Sequence, residues 1–294
     1  MNNQATALLG LLTETSLHAG AGSAVGGVDL PIQREGHNGW PCVFGSAVKG
    51  ALRDKAEGVF GKDHCDVLAL FGPDTLHAAD NAGALAVGDA RLLLLPVRSL
   101  TGAFKWVTCA EALARLQRDA KRMGLEADFS FEAPKVASDT QAWVCAGSGD
   151  LFLEEYRYTL NAAANIADCC AAIARLMARE GVEEELKRRL VIVSDDMYAH
   201  LTQTAVPINA HIALDADTKT VRKGMLWYEE TLPPETLLYV PLAANKSRKK
   251  DHEMEAGAVM SNVTGLFSAK PYLQLGGNET VGMGWCAVKA LEGA

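Results

Sequence analysis

Residues 18–53 read HAGAGSAVGGVDLPIQREGHNGWPCVFGSAVKGALR. Six glycines fall between Gly20 and Gly39, a density no helix sustains when each interior glycine costs about 1 kcal/mol relative to alanine. The first half is therefore a long loop over residues 17–40, carrying two titratable side chains, His18 and Asp29. It turns through Pro31, Gly39 and Pro41 into a short strand from Pro41 to Phe44. Ser46 is then the expected N-cap of a helix running to about Gly58. Lys49 and Arg53 stand four residues apart in that helix and share one face.

Working outward, Thr6 to Thr15 alternates around Leu9 and Leu11 and predicts a first strand. Asp63 is expected to cap a short helix ending at Gly72-Pro73, and Ala84 to Val97 to form one strand or two. Thr108 with Glu111 has the spacing of a capping box for a helix to Met123. Residues 101–149 are read as a helical and irregular insertion. Leu151 to Thr159 predicts one strand, Ala162 to Arg179 a helix, Glu183 to Arg189 another, and Leu190 to Val193 an apolar strand. Alternation on both sides of Asp215-Ala216-Asp217-Thr218 predicts a long hairpin from about residue 201. Glu235 to Ala244 follows as a strand, Lys246 to Lys250 as a basic loop, Glu253 to Phe267 as a helix and Thr280 to Leu291 as the last strand. Strands and helices mix without a strict alternation, which points to an α+β fold with helices on a largely antiparallel sheet.

The 294 residues suffice for a large buried core, and 49% hydrophobic with 22% charged residues describes an ordinary globular chain. No apolar run approaches the roughly 20 residues that span a bilayer. MNNQATALLGLLTETS lacks the basic start of a signal peptide, so a cytoplasmic protein without a membrane partner is expected. Seven cysteines without a C-x-x-C pair read as free thiols, and His64-Cys65 has no second ligand pair at zinc-site spacing. The net charge of -8 argues against nucleic-acid binding through bulk charge. A local basic groove is still enough where many subunits hold one strand.

Gly45-Ser46-Ala47-Val48-Lys49-Gly50 is not a P-loop, because the lysine precedes the second glycine. It offers a helix N-terminus that favours an anion, with Lys49 and Arg53 on one face, and equally a plain solvated basic face. Ser46 to Lys49 also matches the S-x-x-K motif of penicillin-recognising serine enzymes. Ser194-Asp195-Asp196 and Lys219-Thr220-Val221 only partly echo the accompanying motifs. His18 and Asp29 are an acid, base or metal-ligand pair or, blandly, a strand-end polar residue and a turn cap. Glu229-Glu230 are adjacent carboxylates at a strand end. The run Gly276 to Gly284 opens a strand rather than a helix, which disfavours a dinucleotide site and leaves backbone free to approach another chain closely.

The Gly45 to Arg53 helix start and the Gly276 to Gly284 loop together resemble the RAMP superfamily, the RNA-binding proteins of CRISPR systems. The segments Val28-Asp29-Leu30-Pro31-Ile32-Gln33-Arg34-Glu35, with His18 eleven residues before Asp29, and Leu226 to Glu235 resemble more particularly the backbone subunit of the type III-B (Cmr) effector complex.

That resemblance implies a single RAMP domain over residues 1–294: a modified RRM-like (ferredoxin-type) core with inserted helices and a protruding β-hairpin thumb at about 201–224. It implies copies stacked along a guide crRNA beside other subunits of the complex, with base pairing reading the target and protein reading backbone and shape. It implies that complementary target RNA is cut at six-nucleotide intervals beside each thumb with a divalent metal, magnesium or manganese, and that Asp29 holds this metal or accepts the proton of the attacking hydroxyl. The 2'-hydroxyl of the target attacks the adjacent phosphate. His18, Glu229 and Glu230 are helpers in that reading. Arg34, Gly45, Ser46, Lys49, Arg53, Lys246, Arg248, Gly276 and Gly277 contact RNA, and Val206, Pro207 and Ile208 are the wedge where a nucleotide flips.

Overall fold

The computed structural model describes residues 4–24, 27–73 and 81–293, so Val25 and Gly26 of the long loop lie outside the described residues. Its first strand, β1 (Ala5–Thr13), is buried along both faces. Ala7, Leu9 and Leu11 enter one apolar cluster and Leu8 and Leu12 a second one, as the two-residue period of a strand requires. β1 therefore lies inside a sheet covered on both sides, and each fully buried leucine contributes roughly 1.5–3 kcal/mol.

Most of the sheet follows in chain order: β2 (Cys42–Val43), β3 (Leu85–Val87), β4 (Ala90–Arg98), β5 (Phe104–Cys109), β6 (Gln141–Val144), β7 (Gly149–Leu153), β8 (Tyr156–Ala162) and β9 (Leu190–Val193). The isolated hairpin β10 (Ile208–Leu214) and β11 (Val221–Glu230) precedes β12 (Leu237–Ala244), β13 (Tyr272–Gln274) and β14 (Trp285–Glu292). The strand order is β13-β14-β1-β12-β4-β5-β9-β6-β8-β7, with β2 on β4 and β3 on β12. Its ladders are antiparallel except β5 with β9 and β6 with β8. β1 is the centre of one half, pairing β12 from Ala5 opposite Ala244 and β14 from Ala7 opposite Glu292.

Helices cover both faces. α1 (Gly45–Phe60), α2 (Cys65–Phe71), α6 (Asp195–Thr204) and α7 (Ala256–Gly265) send Val48, Leu52, Leu70, Tyr198, Leu201, Val259 and Val263 into the first cluster. α3 (Ala110–Arg122), α4 (Ile166–Ala174) and α5 (Val182–Arg189) send Leu113, Leu116, Ile173 and Leu186 into the second. This is the α+β arrangement expected from the sequence, a mixed sheet between helical layers.

Several local expectations are corrected. Ser46 does not cap α1: the N-cap is Phe44 with no side-chain bond. The Gly45 N–H is instead taken by Asp89 Oδ1 at 2.7 Å. Asp63 does not cap α2, because the ring of His64 accepts the Asp66 N–H. Thr108 belongs to β5, and no capping box forms at α3. The segment 101–149 is not a mere insertion, since β5 and β6 pair into the sheet through β4 and β9. Residues 151–159 are two strands turning at Glu154, whose φ is 49°. Residues 201–204 close α6, so the hairpin spans 208–230 rather than 201–224.

Candidate functional site

The long loop is folded on itself and sewn to the base of the hairpin. Ala21 N–H bonds Pro31 O at 2.9 Å and Gln33 N–H bonds Ala19 O at 2.8 Å, so its two arms run antiparallel. Leu30 then lies parallel to β11, its N–H on Tyr228 O and its carbonyl on Glu230 N–H, both at 3.0 Å. Asp29 is exposed, and its Oδ2 accepts the Tyr228 N–H at 2.8 Å. The loop therefore presents one carboxylate with a fixed direction, and its Oδ1 has no hydrogen-bond partner among the described residues.

β11 divides its adjacent carboxylates, as a strand must. Glu229, 3% exposed, faces the long loop and the glycine loop: its Oε1 accepts from Asn278 Nδ2 at 2.5 Å and lies 3.5 Å from His18 Nδ1. His211, stacked on Trp227 with ring centres 5.5 Å apart, comes within 3.8 Å of the other oxygen. Glu230 faces the opposite way. One of its oxygens accepts the Ile32 N–H at 3.0 Å and the other an Arg34 N–H.

His18 is buried, and its Nδ1 lies 2.8 Å from the backbone oxygen of Glu230. A carbonyl oxygen only accepts, so Nδ1 donates and Nε2 is left without that proton in the neutral ring. The His18 carbonyl in turn accepts the Gly277 N–H at 2.9 Å. Gly276 adopts φ +78°, and a Cβ there would meet that carbonyl at 2.2 Å, so only glycine permits the approach. The sequence-read residues His18, Glu229, Gly276 and Gly277 thus form one junction.

The expected RNA-contact residues divide. Lys49 is half-buried and carries no ion pair among the described residues. Arg53 differs: its Nε binds Glu57 at 2.8 Å and its Nη1 the Gly72 carbonyl at 2.9 Å, tying α1 to the end of α2. Arg34 donates to Gly39 O and Thr202 O, both at 2.9 Å, besides Glu230, so it fastens the loop rather than reaching outward. Lys246 is held between Glu253 and Glu255 at 3.0 Å each, while Arg248 is exposed. Gly45 packs under Val87, where a Cβ would lie 2.5 Å from its carbonyl oxygen, and the exposed Ser46 follows it on α1. Of the expected wedge, Val206 is buried in the main core and is corrected to a packing residue; Pro207 and Ile208 remain exposed.

The hairpin itself is the surface the sequence showed least clearly. Ile208, Ile212, Leu214, Val221, Leu226 and Tyr228 are each 42–53% exposed. The register places Ala210 opposite Tyr228 and Ile212 opposite Leu226 on one apolar face, with His211 and Trp227 on the other. The sequence gives no site role to Asn278, His211, Trp227 or Tyr228, although Trp227, Tyr228 and Asn278 lie in segments that carry the resemblance. Asn278 did carry a signal, as an asparagine among glycines where φ is 61°.

Ser194 caps α6, accepting the Met197 N–H at 3.1 Å, and Lys219 sits in the hairpin tip with φ 57°. The partial serine-hydrolase motifs thus have separate structural jobs.

Helices on both faces of one mixed sheet, a two-stranded hairpin outside that sheet and a glycine loop locked to a histidine-bearing loop define an α+β class of protein with a projecting hairpin. The RAMP superfamily pattern matches residues 11–287, and the chain belongs to that superfamily. It is 37% identical over 288 residues, 97% of this chain and 95% of the relative, to the CRISPR system Cmr endoribonuclease Cmr4 of Pyrococcus furiosus. The crystal structure of oligomeric Cmr4 from Pyrococcus furiosus superposes with a TM-score of 0.76 at 30% identity, covering 99% of both chains. A chain of the cryo-EM structure of type III-B Cmr-beta bound to cognate target RNA shares the fold, with a TM-score of 0.71 at 20% identity over 98% of this chain and 96% of that one.

Proposed function

We propose that this chain is the crRNA-binding backbone subunit of a type III-B CRISPR effector complex, assembling in copies along the guide and cutting complementary target RNA at six-nucleotide steps. The observation that carries this is the 37% identity, sustained over 97% of the chain, to a Cmr endoribonuclease. The geometry agrees with it. Asp29 is an exposed carboxylate anchored beside a hairpin whose apolar face is exposed among the described residues.

The cut proceeds by attack of a target 2'-hydroxyl on the adjacent phosphorus, which forms a 2',3'-cyclic phosphate and breaks the bond to the 5'-oxygen of the next nucleotide, which takes a proton from water and leaves as a 5'-hydroxyl. The uncommitted Asp29 oxygen accepts the hydroxyl proton, while the Tyr228 N–H holds the carboxylate in place. His18 and Glu229 keep the loop and the Gly276-Gly277 turn in register behind it. Most of the rate enhancement then comes from in-line geometry imposed on the target, which a sparse set of groups is able to supply.

A divalent ion, magnesium or manganese, belongs to the proposal in a restricted form. Among the described residues Asp29 is not part of any group of three metal-ligating side chains, so they form no cage of ligands around it. Magnesium is commonly held by one or two carboxylates, waters and substrate phosphates, and a lone Asp29 fits that mode. Bound so, the ion would supply charge stabilisation at the phosphate.

A non-catalytic scaffold is the second reading, favoured by one observation: Asp29 already has a structural task in capping Tyr228. Reconstituted complex with Asp29→Ala decides. Guide binding and assembly retained with cleavage lost supports the catalytic reading, and cleavage at the wild-type rate overturns it. A 2'-deoxy substitution at the cut position blocking cleavage supports the 2'-hydroxyl route.

A further inference from the structure

Far from Asp29 in the sequence, three consecutive residues at the start of α2 bring different ligand atoms together. His64 Nδ1 lies 3.9 Å from Cys65 Sγ and 3.6 Å from Asp66 Oδ2. The ligand atoms of the three all fall within 4.8 Å of one another. Ligands at 2.0–2.3 Å from a tetrahedral zinc ion stand about 3.3–3.8 Å apart, so these three need only small movements to share one ion. The ring of His64 is stacked on Phe60, 5.8 Å between centres at 22°, which limits its rotation.

A fourth residue comes from 186 positions away. His252 Nε2 contacts Asp66 Oδ1 at 2.5 Å, leaving Oδ2 on the side of His64. A ring N–H on the distal oxygen of a ligating carboxylate is the kind of outer contact that orients metal ligands. The sequence, read by spacing, offers His64-Cys65 no partner pair, because the fold supplies the missing partner from the loop after β12.

We propose that His64, Cys65 and Asp66 form a three-ligand site for a zinc-class cation, with His252 positioning the Asp66 carboxylate and a fourth coordination place open to water. The imidazole, thiol and carboxylate set suits zinc, whereas magnesium calls for oxygen ligands. Loading it displaces the Asp66 N–H from His64 Nδ1, where it rests at a long 3.3 Å, and releases the Cys65 proton. His252 belongs to the same loop as Arg248 and Lys249, whose backbone it contacts through its N–H on Lys249 O at 3.1 Å. An ion at this site therefore fixes the root of a basic surface loop. The site is independent of the reading of Asp29.

The test is titration of chelator-stripped full-length protein with cobalt(II). One equivalent should produce a thiolate-to-cobalt charge-transfer band that zinc then displaces. Cys65→Ser should abolish the band, and His252→Gln should keep the band but weaken cobalt affinity about 10- to 100-fold. No band in the wild-type protein, or a band at full strength in Cys65→Ser, overturns the site. Should Cys65→Ser fail to fold by circular dichroism, alkylation of wild-type Cys65 replaces it. Slowing by zinc supports the site, and an unchanged rate overturns it.

Discussion

Asp29 Oδ2 accepts the backbone N–H of Tyr228 at 2.8 Å, so a loop residue and a hairpin residue 199 positions apart are held by one hydrogen bond. That bond makes Asp29→Asn more informative than Asp29→Ala. Asparagine keeps an acceptor for Tyr228 but loses the charge and the basic oxygen. If Asp29 takes a proton in the reaction, both variants lose about 100-fold or more in single-turnover cleavage. Both still bind guide RNA, and Asn retains the wild-type melting temperature. Cleavage by Asp29→Asn within a few-fold of wild type means the residue matters only as a cap.

Arg34 and Glu230 should prove to be a structural pair. The carboxylate is buried, and its other oxygen serves the Ile32 N–H. Arg34→Ala leaves that charge unpaired and costs about 3–5 kcal/mol, whereas the double change Arg34→Met with Glu230→Leu recovers much of the loss. Denaturant unfolding of the two singles and the double measures the coupling. A single-variant cost below about 1 kcal/mol would show the pair to be open to water.

How much of this was legible from sequence depended on the range of the interactions. β1 showed itself because Leu9 and Leu11 recur at the two-residue period of a strand, a pattern local to the run. The Gly45 to Arg53 segment showed itself because helical spacing is local. All three capping expectations failed, and at α1 the reason lies in space: Asp89 reaches Gly45 across 44 positions, and no periodicity encodes that. β6 was hidden in residues 101–149 because it is short and is paired by β8 and β9 rather than by its immediate neighbours. At the site, Asp29 and His18 were visible as titratable groups among glycines. The division of Glu229 from Glu230 needed only strand alternation, but the partners on each side, Asn278 and Arg34, needed the fold.

The hairpin's apolar residues should divide from the core residue beside them. Val206→Ala removes buried volume and lowers stability by about 1 kcal/mol or more. Ile212→Ser and Leu226→Ser, on the exposed face, should leave the melting temperature of the isolated chain within error and lower target cleavage or assembly in the reconstituted complex. If the serine variants assemble and cleave as wild type, the exposed face has no partner in the complex.

Lys49 and Arg53 share a helix face but should respond differently. Lys49→Ala should weaken RNA binding and reduce the slope of log affinity against log salt by about 1. Arg53→Ala should instead lower the melting temperature, since it removes the bonds to Glu57 and the Gly72 carbonyl. An unchanged salt slope in Lys49→Ala removes it from the RNA contact, and an unchanged melting temperature in Arg53→Ala frees Arg53 for one.

Stability should fall on the alkaline side. Burial pushes the thiols of Cys42, Cys169 and Cys286 up from the usual 9.0 to about 12. Nearby carboxylates add to it: Glu35 and Asp89 at Cys42, Asp168 at Cys169 and Glu14 at Cys286. Cys109 and Cys170 are raised further, again chiefly by burial. Between 9.0 and about 12 the unfolded chain gives up these protons while the folded chain keeps them. The folded state therefore binds more protons, and the free energy of unfolding decreases as pH rises. The contribution is whole below pH 9 and is lost progressively above it. Melting temperatures followed by circular dichroism from pH 8 upward should turn down beyond about pH 9. The turn should be shallower in Cys286→Ala, which removes one such thiol, and equal slopes in the two proteins would mean that Cys286 does not couple to folding.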